Sequence, residues 1–198
     1  MVLNSVCVIK IGRCEDNRGW FSETYSSKSL KKIGLKDIFV QDNHSFSSHR
    51  GTIRGLHFQK PPHSQAKLVR CISGQIFDVA VDIRKNSPTY GKWVGLKISE
   101  ENGLQLYIPV GFAHGFMTLT PHAEVIYKVT DFYSADHDSG VLWSDKDIGI
   151  DWPLLDKLSP SLSDKDMNLL PLNQLDSPFE YNGVALSPLN IKQDILCV

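Results

Sequence analysis

The sequence predicts an all-β fold, a sandwich or barrel with a few short peripheral helices. From Lys67 to Tyr133 the chain is a succession of short β-branched and aromatic runs. Turn signals at Ser73-Gly74, Ser87-Pro88, Asn102-Gly103 and Pro121 separate those runs, which is the punctuation of short strands. Helical pattern is confined to short stretches that cannot cover a parallel sheet, so a doubly wound α/β fold is disfavoured.

Taken in chain order, residues 1–39 read as an amino-terminal strand segment. Its apolar run Val6-Cys7-Val8-Ile9-Lys10-Ile11 follows Asn4-Ser5 and is too short for a signal peptide core or a membrane span. A short helix is expected near Ser27 to Ile33, ending before Gly34. The core strands fall at about 40–145, and within them Ala66 to Arg84 can be read residue by residue. With Ser73-Gly74 as a hairpin turn and Ile72 paired with Gln75, Val69 faces Asp78 and Lys67 faces Ala80. Lys67 and Asp78 then share one face diagonally, while Leu68, Phe77, Val79, Val81 and Ile83 share the other. An apolar face backed by a charged one suits either a water-facing sheet or a lumen holding a polar ligand. A second helix is expected to begin near Ser163. Prolines at 153, 160, 171, 178 and 188 make 153–198 an irregular segment whose leucines pack over the sheets. No repeat or low-complexity linker divides the chain, so 1–198 is expected to form a single domain.

Composition agrees: 198 residues, 41% hydrophobic and 22% charged, suffice for one core of ordinary size. With 21 basic against 22 acidic residues there is no global field to attract nucleic acid or an anionic membrane, and neither is expected as a partner. An anionic ligand would have to be held by a local cluster. A cytoplasmic location is expected. Cys7, Cys14, Cys71 and Cys197 show no C-x-x-C spacing and are expected to be ordinary thiols.

The most informative stretch is Arg54-Gly55-Leu56-His57-Phe58-Gln59, followed by Lys67 and later by Pro109-Val110-Gly111-Phe112-Ala113-His114-Gly115. It sets an imidazole and cations beside expected strands and suggests proton transfer next to a carbonyl. Further blocks are Asp16 to Glu23, Gln41 to Ser45, Gln65 to Val69, Phe77 to Arg84, Ile108 to Phe116, Ala123 to Tyr133, Leu142 to Asp145 and Leu162 to Asp166. In this order, over residues 16 to 172, they resemble the dTDP-4-dehydrorhamnose 3,5-epimerase family. Members of that family are cupin-type jelly-roll β-barrels that invert the carbons flanking the ketone of a nucleotide-linked 4-keto-6-deoxysugar. Ile53 and Phe58 stand where the family carries Leu and often Tyr, and His49-Arg50 precedes Gly51. These departures bear on substrate preference more than on the reaction. The tail after Leu172 has no counterpart in the resemblance.

The resemblance implies a division of labour. His57 is the base, Asp166 the carboxylate that orients it, Tyr127 the acid on the opposite face and Lys67 the cation beside the developing enolate oxygen. His114 and Asp78 support them. Arg18 and Arg54 are the phosphate candidates, Glu23, Gln41, Asn43, Asp138 and Lys165 contact the nucleotide, and Tyr133 or Trp143 offers a stacking surface. The implied substrate is a dTDP-linked sugar, with no cofactor and no metal. The family also implies a homodimer whose amino-terminal portion crosses to the neighbour, so that Arg18 and Glu23 complete the other subunit's pocket.

Each residue has a plainer reading. A single His in a β-rich chain is usually structural or exposed. Ser163-Asp164-Lys165-Asp166 fits a capping box, which by itself makes Asp166 a helix start. Tyr127 alternates in phase with Val125 and Val129, as a core tyrosine does. Lys67 and Asp78 could form an exposed cross-strand pair, and surface Arg and Lys are ordinarily solvated. Asp82 and Arg84 are read as structural.

Other functions compete. Pro109-x-Gly111-x-x-His114 resembles the second motif of metal-binding cupins, but their first motif needs H-x-H, and here Phe58 and Gln59 follow His57. The same Gln59 counts against a sugar-nucleotide 3,4-ketoisomerase. A 3-epimerase acting on a related nucleotide-4-ketosugar would use the same His, Lys and Tyr. A non-catalytic sugar-nucleotide-binding cupin would have no need of the intact His57, Lys67, Tyr127 and Asp166 set.

Overall fold

The computed structural model describes residues 5–154 and 159–195. Thirteen strands form: β1 (Cys7–Ile11), β2 (Cys14–Asp16), β3 (Gly19–Phe21), β4 (Gln41–Ser47), β5 (Ile53–Gln59), β6 (Lys67–Ser73), β7 (Gln75–Asp82), β8 (Trp93–Ser99), β9 (Leu104–Ile108), β10 (Phe112–Thr118), β11 (Ala123–Val129), β12 (Asp138–Gly140) and β13 (Ile191–Ile195). Among the described residues two short α-helices accompany them, α1 (Ser27–Lys32) and α2 (Asp164–Met167), with 3-10 turns at Ala135–His137 and Leu172–Gln174. The fold is therefore all-β with few short helices. A six-stranded sheet runs β13-β1-β9-β6-β11-β4 and a five-stranded sheet β12-β5-β10-β7-β8; neither closes on itself. No helix among the described residues is long and apolar enough to cross a membrane.

Strand periodicity explains the layering. Alternate residues of the facing strands, among them Val69 and Cys71 from β6, Ile76 and Ala80 from β7, Leu106 and Ile108 from β9 and Phe112 and Phe116 from β10, form one buried cluster between the sheets. Burial of each fully enclosed Val, Leu, Ile or Phe side chain there contributes about 1.5–3 kcal/mol. The outer face of the five-stranded sheet carries Leu56, Phe58, Val79, Val81 and Ile83 and is covered by Trp152, Leu172 and Phe179 of the carboxy-terminal segment. On the outer face of the six-stranded sheet, Cys7, Ile9, Leu68 and Tyr107 lie under Leu30 and Leu35 of the α1 region. Helix α1 starts where the Ser26 hydroxyl accepts from Ser29 N and stops at Gly34, whose φ of 91° suits a residue without a Cβ.

Two sequence expectations need correction. Ser73-Gly74 is not a hairpin turn. Strand β6 pairs with β9 and β11, so Lys67 faces Ile108 and Val129, whereas β7 pairs with β8 and β10, so Asp78 faces Leu96 and Phe116. At Gly74 (φ +73°) the chain passes from one sheet to the other, and a Cβ there would lie 2.3 Å from Thr120 Oγ1. The parity within each strand holds, but Leu68 and the Phe77, Val79, Val81, Ile83 set cover the outer faces of different sheets. The tail is also less irregular than its prolines suggest, because β13 adds to β1 as a parallel strand. It is tethered to the end of β7 by Arg84, which holds Asn182 Oδ1 and the Val184 carbonyl.

Candidate functional site

The site is assembled where β5 and β10 approach unusually closely. A Cβ on Gly55 (φ +130°) would lie 2.5 Å from Gly115 Cα and 2.8 Å from the His114 carbonyl, so only glycine fits. That contact sets His57 opposite His114 in the register of the two strands. Residues 161–166 are then laid beside the start of β5, with Ile53 N donating to Ser161 O at 2.9 Å and Ser161 N to Gly51 O at 3.0 Å. Helix α2 opens with the Ser163 hydroxyl accepting from Asp166 N at 3.1 Å, so the helix-start reading of this motif is correct. It does not displace the other reading. The buried Asp166 carboxylate turns to His57, with Oδ1 at 2.5 Å from Nε2. Burial pushes this carboxyl up, but the bonds to His57 and to the backbone of Gly55 outweigh it and hold the group below the usual carboxylate range.

Across the cavity, the six-stranded sheet supplies the remaining groups. Tyr127 pairs in register with Val69 and Asn43, and Lys67 opens β6 two residues before Val69. Lys67 is 8% exposed, and its ammonium donates to the His57 carbonyl at 3.3 Å. Burial lowers its pKa to about 8, against the pull of Asp138 and Asp78 in the other direction. Burial raises the Tyr127 phenol, with the Arg54 guanidinium acting against that shift. Beneath them the buried His114 Nε2 meets Asp78 Oδ1 at 2.7 Å, and desolvation lowers the imidazole pKa.

Arg54, His57, Lys67, His114, Tyr127, Lys165 and Asp166 line one cavity of about 450 Å³. A smaller one of about 130 Å³ shares His57, Lys67 and Tyr127 and adds Gln41, Asn43, Tyr133 and Asp138. Asp138 binds both the Lys165 ammonium and, at 3.2 Å, the Tyr133 hydroxyl. Arg54 is braced by the Phe46 carbonyl at 2.9 Å and by Ser47 Oγ.

Four residues expected at the site do not line these cavities. Asp78 lies fully buried beneath His114. Arg18 is 85% exposed on the β2–β3 hairpin and paired with Asp16, and Glu23 accepts from the Ser29 hydroxyl. Trp143 packs against the outer core, its carbonyl accepting from Trp152 Nε1. Conversely, Ser45, Phe116, Leu162 and Gln65 line the site without having been singled out. Their only sequence signal was membership of the blocks around the named residues. A further cavity of about 530 Å³ lies where Arg13 and Trp20 meet Arg70, Glu100 and Gln105. Of its two guanidinium groups, that of Arg13 is engaged internally, reaching the Glu100 carbonyl and lying over the Trp20 ring.

The arrangement presents a carboxylate-bound imidazole on one sheet and, on the other, a phenol and a desolvated ammonium that reaches the His57 carbonyl. Such a cleft can remove a proton from one face of a ligand and return it from the opposite face. It contains no group of three or more His, Cys, Asp and Glu side chains with metal-holding geometry among the described residues.

Comparison with known proteins agrees with this chemistry. The family model described as dTDP-4-dehydrorhamnose 3,5-epimerase matches residues 1–174. A dTDP-4-dehydrorhamnose 3,5-epimerase of Shigella flexneri is 55% identical over 154 residues, 77% of this chain and 83% of the relative. The crystal structure of the Bacillus anthracis dTDP-4-dehydrorhamnose 3,5-epimerase with TDP and PPi bound superposes with a TM-score of 0.81 at 50% identity, covering 86% of this chain and 98% of that one. For the Legionella pneumophila dTDP-6-deoxy-D-glucose-3,5-epimerase in complex with dTDP-4-keto-L-rhamnose, the TM-score is 0.85 at 40% identity, covering 92% and 99%. This chain belongs to the dTDP-4-dehydrorhamnose 3,5-epimerase family.

Proposed function

We propose that the chain is an isomerase that inverts carbons 3 and 5 of dTDP-4-keto-6-deoxyglucose to give dTDP-4-keto-rhamnose. The observation that carries this reading is one cavity lined by His57 from the five-stranded sheet and by Tyr127 and Lys67 from the six-stranded sheet. With Nε2 of His57 engaged by Asp166, Nδ1 receives the proton from the carbon beside the ketone. The C–H electron pair becomes the enolate, whose oxygen is stabilised by the Lys67 ammonium. Tyr127 then donates its proton to the same carbon from the other face, and solvent restores both groups. The cycle repeats at the second carbon.

Lys165 and Arg54 supply the positive charge for the diphosphate, with Gln41, Asn43 and Asp138 beside the nucleotide and Tyr133 as the stacking surface for the base. Arg18 and Glu23 fit this scheme only if they enter a neighbour's pocket, which favours a homodimer with exchanged amino-terminal segments. The two layers suit a cupin-type jelly-roll barrel forming a single domain. A reading as a metal-dependent cupin is disfavoured because the His114 imidazole is engaged by Asp78 and the Gln59 amide is bonded to backbone.

Incubation with dTDP-4-keto-6-deoxyglucose in heavy water, followed by proton NMR, tests the reaction. Loss of both signals flanking the ketone is expected. Exchange at carbon 3 alone would make the chain a 3-epimerase, and tight binding without exchange a non-catalytic sugar-nucleotide-binding protein. His57→Ala should slow exchange by about 10²–10⁴-fold, and chelators should leave it unchanged. Retained exchange in that variant would overturn the assignment of the base.

A further inference from the structure

Tyr133 is 60% exposed, so packing does not fix its ring, yet the backbone around it is held residue by residue. Gln65 Nε2 donates to the Asp131 carbonyl at 2.7 Å, and Gln59 Nε2 donates to the Phe132 carbonyl at 3.1 Å. Tyr133 N donates to Gln41 Oε1 at 3.1 Å, and Ser134 N to Gln59 Oε1 at 2.7 Å. Four consecutive residues are thus tied to amide side chains from β4, β5 and the segment before β6. Gln59 is buried, and its second Nε2 hydrogen goes to the His63 carbonyl at 2.7 Å. The alternative orientation of this amide would set its oxygen against two carbonyls and its NH₂ against the Ser134 N–H, so the network admits one arrangement. Both donor hydrogens of Gln59 are therefore spent on the protein and none is left for a ligand.

We infer that Gln59 and Gln65 are positioning residues that act through Tyr133, presetting its ring as a platform for the nucleobase. This rests on the reading of Tyr133 as the stacking surface. A surface loop that must order when a ligand arrives loses affinity to conformational entropy, and a loop already clamped does not. Because Tyr133 serves the nucleotide and not the reacting carbons, the clamp contributes equally to ground and transition states. Its loss therefore raises KM and leaves kcat.

A double-mutant cycle tests the inference, with dTDP as the binding probe and the ketosugar nucleotide for kinetics. Gln59→Met, close in shape but without the amide, should weaken dTDP binding and raise KM about ten-fold with kcat within about two-fold. In a Tyr133→Ala background the same substitution should change dTDP affinity by less than about two-fold. Gln65→Met, at a half-buried position, should show the same pattern at about three-fold and decides the matter where Gln59→Met does not fold. An undiminished effect in the Tyr133→Ala background, or a parallel fall in kcat, would assign these glutamines to general fold stability and overturn the inference. If Tyr133→Ala alone leaves dTDP affinity unchanged, the stacking role fails and the inference with it. If Tyr133→Ala weakens binding but the glutamine variants do not, only the inference fails.

Discussion

Lys67 and Arg84 are the buried Lys and Arg side chains among the described residues, and they are treated in opposite ways. Arg84, 1% exposed at the end of the sandwich held by the tail, is saturated with partners. Its Nε and Nη2 grip the two Asp82 oxygens at 2.8 and 2.6 Å, its Nη1 reaches Asn182 and Val184, and its guanidinium lies 4.4 Å over the Phe112 ring. Lys67 is almost as deeply buried, but the hydrogen bond described for its ammonium is a long one to a carbonyl. Arg84 is compensated as a structural cation is, whereas Lys67 in its proposed role is short of partners, so that charge developing on a substrate can supply what is missing.

The contrast is broken or sharpened most strongly by Lys67→Met. We expect kcat to fall roughly 10²–10³-fold. The folded chain should at the same time become more stable at pH 7, by on the order of 3 kcal/mol, since a Lys pKa lowered from 10.5 to about 8 records the cost of its charge. Urea unfolding beside steady-state kinetics reads both, and a less stable variant would make Lys67 a second Arg84. Arg84→Met should do the reverse. It leaves Asp82 without its cation and should destabilise by about 3–5 kcal/mol, with kcat/KM of the folded protein within about two-fold of wild type. A comparable drop in turnover would show that the far end of the sandwich is coupled to the site.

The smallest effect expected is on pH dependence. Below pH 8 native Lys67 is protonated and its destabilising contribution is fully present. Between pH 8 and 10.5 the unfolded chain holds a proton that the native state has released, so stability rises with pH. The gap between wild type and Lys67→Met should narrow across that interval, and kcat should decline above pH about 8 as the ammonium is lost. A gap that stays constant would remove Lys67 from the titration.

Strand parity was legible in the sequence because side chains alternate with a period of two wherever a strand goes. The partner of each strand was not, because Ser73-Gly74 serves a hairpin and a passage between sheets equally well. What decides between them is the packing of Gly74 against Thr120, far away in the chain. Strand β13 was hidden for a related reason, since Ile191-Lys-Gln-Asp-Ile has little apolar alternation and owes its place to the edge offered by β1. Asp166 shows the limit of choosing between readings, for its backbone N–H serves the cap while its carboxylate serves His57. Arg18 and Glu23 were named from resemblance alone, and a single chain gives them no role at the cavity.

Because Gly74 sends β6 and β7 into different layers, the gap between imidazole and phenol is set by the thickness of the filling, as a shim sets the gap of a vice. Ile76, Ile98 and Leu106 are parts of that shim, and none of them lines either cavity at the site. Trimming one of them would alter how a sugar ring is gripped before it altered anything the ring touches.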